Sequence, residues 1–229
     1  RDSARIVPYR IGGSKPPDDF VAMMTNGASG DIDNIDFYRR RPPRAPFEQI
    51  RVVAGKAADA TWRAVKKIEH YDDNPVIAVR QRKVVLQYRI PSAAEVDNAN
   101  RLLALPRQER EAINRRTTQY AQSTLRMADT EHPKTESVIV QAIRIGEQAI
   151  VSMPFEVFVE IGLEIKQKSP FEHTFLIELA NGGYGYLPTP RQHELGGYET
   201  WLGTNKVQKD ASVILTEHLL DLLAELRTL

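Results

Sequence analysis

Ser137-Val-Ile-Val-Gln-Ala-Ile-Arg-Ile-Gly146-Glu-Gln-Ala-Ile-Val-Ser-Met153 decides the fold. Two runs rich in β-branched residues flank a three-residue turn, Gly146-Glu147-Gln148, and Pro154 closes the second run because it cannot donate to a ladder. This is a β-hairpin, and the chain on both sides supplies what a hairpin needs to be buried. Downstream, Val157 to about Lys168 has helical periodicity and Thr174 to Leu179 reads as a further strand. Ala211, Ile214, Leu215, Leu219, Leu222, Leu223 and Leu226 mark one face of a terminal helix begun near Asn205 or Asp210. Upstream, Pro75 to Ile90 predicts one or two strands, with Val84, Leu86 and Tyr88 alternating. Phe47 to about Tyr71 predicts an amphipathic helix packed on a core, and Ala93 to about Met127 two helices broken at Pro106. Phe20 to Thr25 reads as a buried strand. The expected class is α/β, a mixed sheet with flanking helices. Residues 1–229 are expected to form one partial domain, and no internal boundary is drawn.

Composition narrows the class of function. Thirty-one basic against thirty acidic side chains leave a formal charge of +1, and so near-neutral a balance argues against a nucleic-acid partner. Cysteine is absent, which excludes disulfides, thiolate metal sites and a thiol nucleophile. No apolar run reaches the roughly 18 residues of a membrane span. The chain opens on Arg1 rather than methionine, and we read it as the later part of something longer.

Two glycine-rich loops follow predicted strands, a usual place for sites in α/β folds. The first, Asn26-Gly27-Ala28-Ser29-Gly30-Asp31-Ile32-Asp33-Asn34-Ile35-Asp36, carries three carboxylates. It is not an EF-hand, since the sixth and twelfth positions counted from Asp31 are Asp36 and Pro42 instead of glycine and glutamate; turn chemistry or an irregular cation site both remain open. The second, Asn181-Gly182-Gly183-Tyr184-Gly185-Tyr186, is tyrosine-rich, with Tyr198 close behind. Tyrosines in such loops serve as packing lids or as catalysts. Glu156, just after Pro154, sits where a helix begins and would favour the positive end of its dipole. The five histidines have none of the spacings of a self-contained metal site.

Three stretches together give these residues a further meaning. Met24-Thr-Asn-Gly-Ala-Ser-Gly-Asp-Ile-Asp-Asn34, Ala149-Ile-Val-Ser-Met-Pro-Phe-Glu156, and Leu179-Ala-Asn-Gly-Gly-Tyr-Gly-Tyr-Leu-Pro-Thr-Pro190 through Gly196-Gly-Tyr-Glu199 resemble, in order, the neutral/alkaline non-lysosomal ceramidase family, in its bacterial branch. The resemblance places the chain in the later, C-terminal part of that family's catalytic domain, an incomplete portion of a larger layered α/β domain. It implies that Glu156, in Pro154-Phe155-Glu156, is a zinc ligand. It implies the same for Tyr186, in Tyr186-Leu187-Pro188-Thr189. Tyr198, followed by Glu199 and twelve residues beyond Tyr186, matches the family's oxyanion tyrosine. The two histidine ligands and an oxyanion arginine of the family belong to upstream sequence.

At the nucleophile the sequence departs from the family. Where the family has Gly-Asp-x-Ser-Pro-Asn, this chain has Gly30-Asp31-Ile32-Asp33-Asn34, with Asp33 at the serine position and Ser29 four residues early. The expected activity is zinc-dependent hydrolysis of an amide or related carbonyl bond, of N-acyl lipid type, with Asp33 orienting or deprotonating water. Gly30, Asp31, Asn34 and Tyr184 are expected to bind substrate or support the loops. The expected partner is a small-molecule or lipid substrate, and the family implies secretion or a periplasmic location. A catalytically inactive relative that binds a ligand or partner is the alternative; a domain whose matching loops are structural is the third.

Overall fold

The computed structural model describes residues 23–33, 35, 36 and 38–229. These form two compact units, residues 26–33 with 76–229 and, separately, the other described residues up to Pro75. The smaller unit holds helix α1 (Glu48–Val65). Its spacing is helical as expected, but Ala58 is its buried residue, and Ile50, Val52 and Val53 face solvent. The expected burial of its apolar face is thus not found, since this unit has no sheet among its described residues to cover that face.

The larger unit is built on the hairpin. Strands β1 (Ile77–Gln87), β2 (Thr135–Ile145), β3 (Gln148–Met153) and β5 (His173–Glu178) form one sheet in the order β1-β2-β3-β5. The first two pairings are antiparallel, with Ile145 opposite Gln148, so the β2–β3 turn is the two residues Gly146 and Glu147 rather than three. Gly146 has φ 57°, the left-handed geometry such a turn requires. The β3–β5 pair is parallel, Val151 opposite Leu176. A parallel pair needs a crossover, and α5 (Val159–Lys168) provides it.

Alternation along the strands sends Val84, Leu86, Val138, Val140, Ala142, Ala149, Val151, Met153 and Leu176 to one buried face. Ile161 and Ile165 of α5, with Leu215, Leu219, Leu222, Leu223 and Leu226 of α7 (Ala211–Arg227), close over that face. Each such side chain contributes about 1.5–3 kcal/mol when fully buried. Arg144 also points inward at 8% exposure. Its Nη1 donates to the Leu226 carbonyl at 3.1 Å, Nε to Gly146, and its guanidinium lies over the Phe171 ring. The charge therefore ends at the C-terminus of α7, where a cation is favourable.

Three helices, not two, separate β1 from β2: α2 (Ala93–Ala104), α3 (Arg107–Ile113) and α4 (Thr117–Ala128). Pro106 makes the first break. Asn114 makes the second, adopting extended backbone while its Oδ1 accepts from the Arg116 amide at 2.7 Å, an Asx turn that competes with the helix. In the expected strand over Phe20–Thr25, residues 20–22 lie outside the described residues. Residues 23–25 are in no strand, and Met23 and Met24 are 89% and 83% exposed, with no neighbouring strand among the described residues to bury them.

Candidate active site

Beyond the parallel pair β3 and β5, both chains leave the same end of the sheet. After Met153 the chain turns at Pro154 and forms β4 (Glu156–Val157); after Glu178 it loops through Tyr184 into β6 (Tyr186–Leu187). These two short strands pair in parallel, and their register sets Glu156 directly beside Tyr186. Strand neighbours lie about 4.8 Å apart. The carboxylate and phenol therefore occupy one edge of this small sheet.

Tyr198 joins them from the 3₁₀ turn Tyr198–Thr200. Its hydroxyl lies 2.9 Å from that of Tyr186, and the rings meet edge to face at 5.5 Å. Burial, then the Tyr198 hydroxyl, then the Glu156 carboxylate, push the Tyr186 phenol well above the ordinary tyrosine range. Without a cation the phenol stays protonated. A positive ion between it and Glu156 would act in the opposite sense.

The first glycine-rich loop lies against β4. The Gly30 amide donates to the Val157 carbonyl at 2.7 Å, and a Cβ at Gly30 would sit 2.6 Å from the Glu156 carbonyl oxygen, so only glycine allows this approach. Asp31 Oδ1 accepts from the Val159 amide at 2.8 Å, satisfying an N-terminal donor of α5. Asp33 is exposed; three residues from Gly30, its Cα lies within about 11 Å of that glycine's. Ser29 is engaged elsewhere, its Oγ donating to Glu178 Oε1 at 2.5 Å. Tyr184 packs its ring against Phe155 at 5.8 Å and supports the second loop. Asn34 lies outside the described residues.

Three residues that the sequence reading did not select hold this arrangement. Glu178 is 6% exposed, and its carboxylate accepts from the Ser29 amide, the Ser29 hydroxyl and the Val157 amide, clamping the first loop to β4. Its signal was parity: two residues after Leu176, it points to the buried face. Asn205, expected near the start of the last helix, is instead 1% exposed and donates to the Tyr186 carbonyl at 3.0 Å. Arg89 Nη1 donates to Asn205 Oδ1 and, at 2.6 Å, to the Thr200 carbonyl. One guanidinium thus ties the turn bearing Tyr198 to the segment bracing Tyr186. No local pattern marks either residue.

No protein-family model matches the sequence, and neither does any curated protein. A solved structure does. The crystal structure of neutral ceramidase from Pseudomonas aeruginosa matches 99% of this chain at a TM-score of 0.58 and 15% identity. The chain has the fold of neutral ceramidase. It spans 40% of that structure's length, so the likeness concerns one portion of the larger protein. A second structure, a ceramidase complexed with C2, overlaps 42% of the chain with a TM-score of 0.37. The expected α/β class, a mixed four-stranded sheet with flanking helices, agrees with this fold.

Carboxylate and phenol oxygens suit zinc, but a catalytic zinc takes three protein ligands. Among the described residues no three His, Cys, Asp or Glu side chains gather in one place, and no helix is long and apolar enough to cross a membrane.

Proposed function

We propose that this chain is the later portion of the catalytic domain of a zinc-dependent hydrolase that cleaves an amide or related carbonyl bond in N-acyl lipids. The observation that carries the reading is the pairing of Glu156 with Tyr186 in adjacent strands, with the Tyr198 hydroxyl 2.9 Å from that of Tyr186. The ceramidase fold supports it. Glu156 and Tyr186 would hold the metal together with ligands from other sequence of the full-length protein, which on this reading is exported. Zinc, when bound, supplies a Lewis acid that polarises a carbonyl and lowers the pKa of water to about 7.

The chain's own residues have defined roles in the reaction. Asp33 takes a proton from the attacking water as its oxygen bonds to the carbonyl carbon. Tyr198 donates a hydrogen bond to the oxyanion that develops on the carbonyl oxygen. The tetrahedral carbon then expels the amine, which leaves with the proton Asp33 had accepted. Gly30 and Asp31 hold the loop that carries Asp33, Glu178 secures its start, and Tyr184 supports the opposing loop. Ser29, bonded to Glu178, is not the nucleophile.

The replacement of serine by Asp33 also favours a second reading, an inactive relative that binds a ligand or partner in the same pocket. The full-length protein separates the two. Stoichiometric zinc with release of fatty acid from N-acylsphingosine, both lost in Glu156→Gln, supports the hydrolase; absence of bound zinc after loading, with no turnover, supports the second. Turnover unchanged in Asp33→Asn refutes the role given to Asp33.

A further inference from the structure

Beside this site lies a cavity of about 450 Å³ between α2, α4 and the segment from His193 to Lys209, within the size range of small-molecule sites. Its walls differ in character. Leu102, Ile113, Trp201 and Leu202 present apolar surface, whereas Arg89, Lys209, Glu95, His193 and the Tyr120 phenol are its ionisable groups. Asn114, Tyr120 and Trp201 also line the neighbouring groove that Tyr198 borders, so the cavity and the candidate site share a wall. Arg89 bonds to the Thr200 carbonyl, two residues from Tyr198.

The charge in this cavity is incompletely balanced. Arg89 spends Nη1 on the oxygens of Thr200 and Asn205; among the described residues its Nε and Nη2 have no hydrogen-bond partner, and it forms no ion pair. Glu95 is committed to the amide and hydroxyl of Ser92 in the capping box of α2. Lys209 is exposed at the rim. His193 Nε2 is buried with no hydrogen-bond partner among the described residues. Burial, then the charges of Arg89 and Lys209, lower its pKa to about 4, so it is neutral near pH 7. Two cations then face one carboxylate, an excess of one positive charge in a partly desolvated space.

We propose that this cavity is a subsite for the carboxylate end of an N-acyl ligand, with the carboxylate directed to Arg89 and Lys209 and apolar atoms against Leu102 and Trp201. A monoanion balances the excess charge, whereas a phosphate monoester, close to a dianion, overshoots it. A guanidinium with two unused donors fits a carboxylate's paired oxygens. The inference rests on the hydrolase reading for its choice of an N-acyl molecule and names that site's substrate class: N-acylated amino acids rather than uncharged N-acyl lipids alone.

The test uses the full-length protein, with N-dodecanoylglycine and its uncharged glycinamide as probes; the part of the fluorescence change that is lost in Trp201→Phe reports on the cavity. Fluorescence titration and calorimetry are expected to show the carboxylate binding at least tenfold more tightly than the amide. Lys209→Glu, on an exposed side chain, is expected to remove most of that difference. Equal affinity for both probes, or a preference unchanged by Lys209→Glu, overturns the subsite. Turnover is assayed in parallel. Carboxylate-selective binding with no hydrolysis of either probe or of N-acylsphingosine would retain the subsite and defeat the hydrolase reading. Hydrolysis without charge preference would do the reverse.

Discussion

The four-stranded sheet and the two-stranded β4–β6 element are held by different forces. In the sheet, strands and two helices share an apolar core in which many side chains are fully buried. The short element has two residues in each strand. It depends on single polar contacts: Glu178 to Ser29 and Val157, Asn205 to Tyr186, Arg89 to Thr200, Asp31 to Val159. Hydrophobic burial is distributed and non-directional. Hydrogen bonds are directional, and few of them suffice to set an oxygen's position. The core therefore supplies stability, and the small sheet supplies geometry.

The comparison is most severely tested in the core. Leu219→Ala, at a fully buried position of α7, is expected to cost about 2–5 kcal/mol in denaturant unfolding of the full-length protein, with the folded fraction retaining its kcat. Tyr198→Phe should do the opposite, lowering kcat on an N-acyl substrate by about 10²–10³-fold while the unfolding midpoint stays where it was. Loss of stability without loss of rate in that variant would erase the proposed division. Glu178→Gln keeps the shape but weakens the acceptor for three donors. It should cost about 1–3 kcal/mol and speed hydrogen exchange at the Ser29 and Val157 amides, leaving Val140 protected. Asp31→Ala removes an acceptor at the start of α5 and is expected to cost about 0.5–2 kcal/mol, seen as faster exchange at Val159.

The smallest effect concerns pH. His193 titrates at about 4 in the folded protein against an ordinary 6.5, so the unfolded chain takes up its proton first. Its contribution to stability is complete above pH 6.5, declines as pH falls toward about 4, and is constant below that. Melting temperatures across this range should fall less steeply in His193→Gln than in the unsubstituted protein. An unchanged slope would show that the imidazole does not sense its surroundings.

Periodicity revealed the sheet, the hairpin and the terminal helix because they bury continuous apolar faces. The turn is one residue shorter than its composition suggests, since Gln148 is polar yet lies in the ladder opposite Ile145. The break at Asn114 is not legible in the sequence, because an asparagine that ends a helix differs only in context from one inside it. At the candidate site, Glu156, Tyr186 and Tyr198 are singled out through the stretches that resemble the ceramidase family. Arg89, Asn205 and Glu178 could not, because each acts on a partner distant in the chain, Glu178 on Ser29 and Arg89 on Thr200.

The sequence by itself determined the hairpin, the strands of the main sheet and the terminal helix, because residue type and alternation are local properties. Only the tertiary structure decided that Glu156 and Tyr186 stand side by side, that Ser29 is bonded to Glu178, and that Arg89 and Lys209 share a cavity behind Tyr198. Those relations follow from strand register and loop closure over long separations, to which many distant contacts contribute at once and no short pattern corresponds.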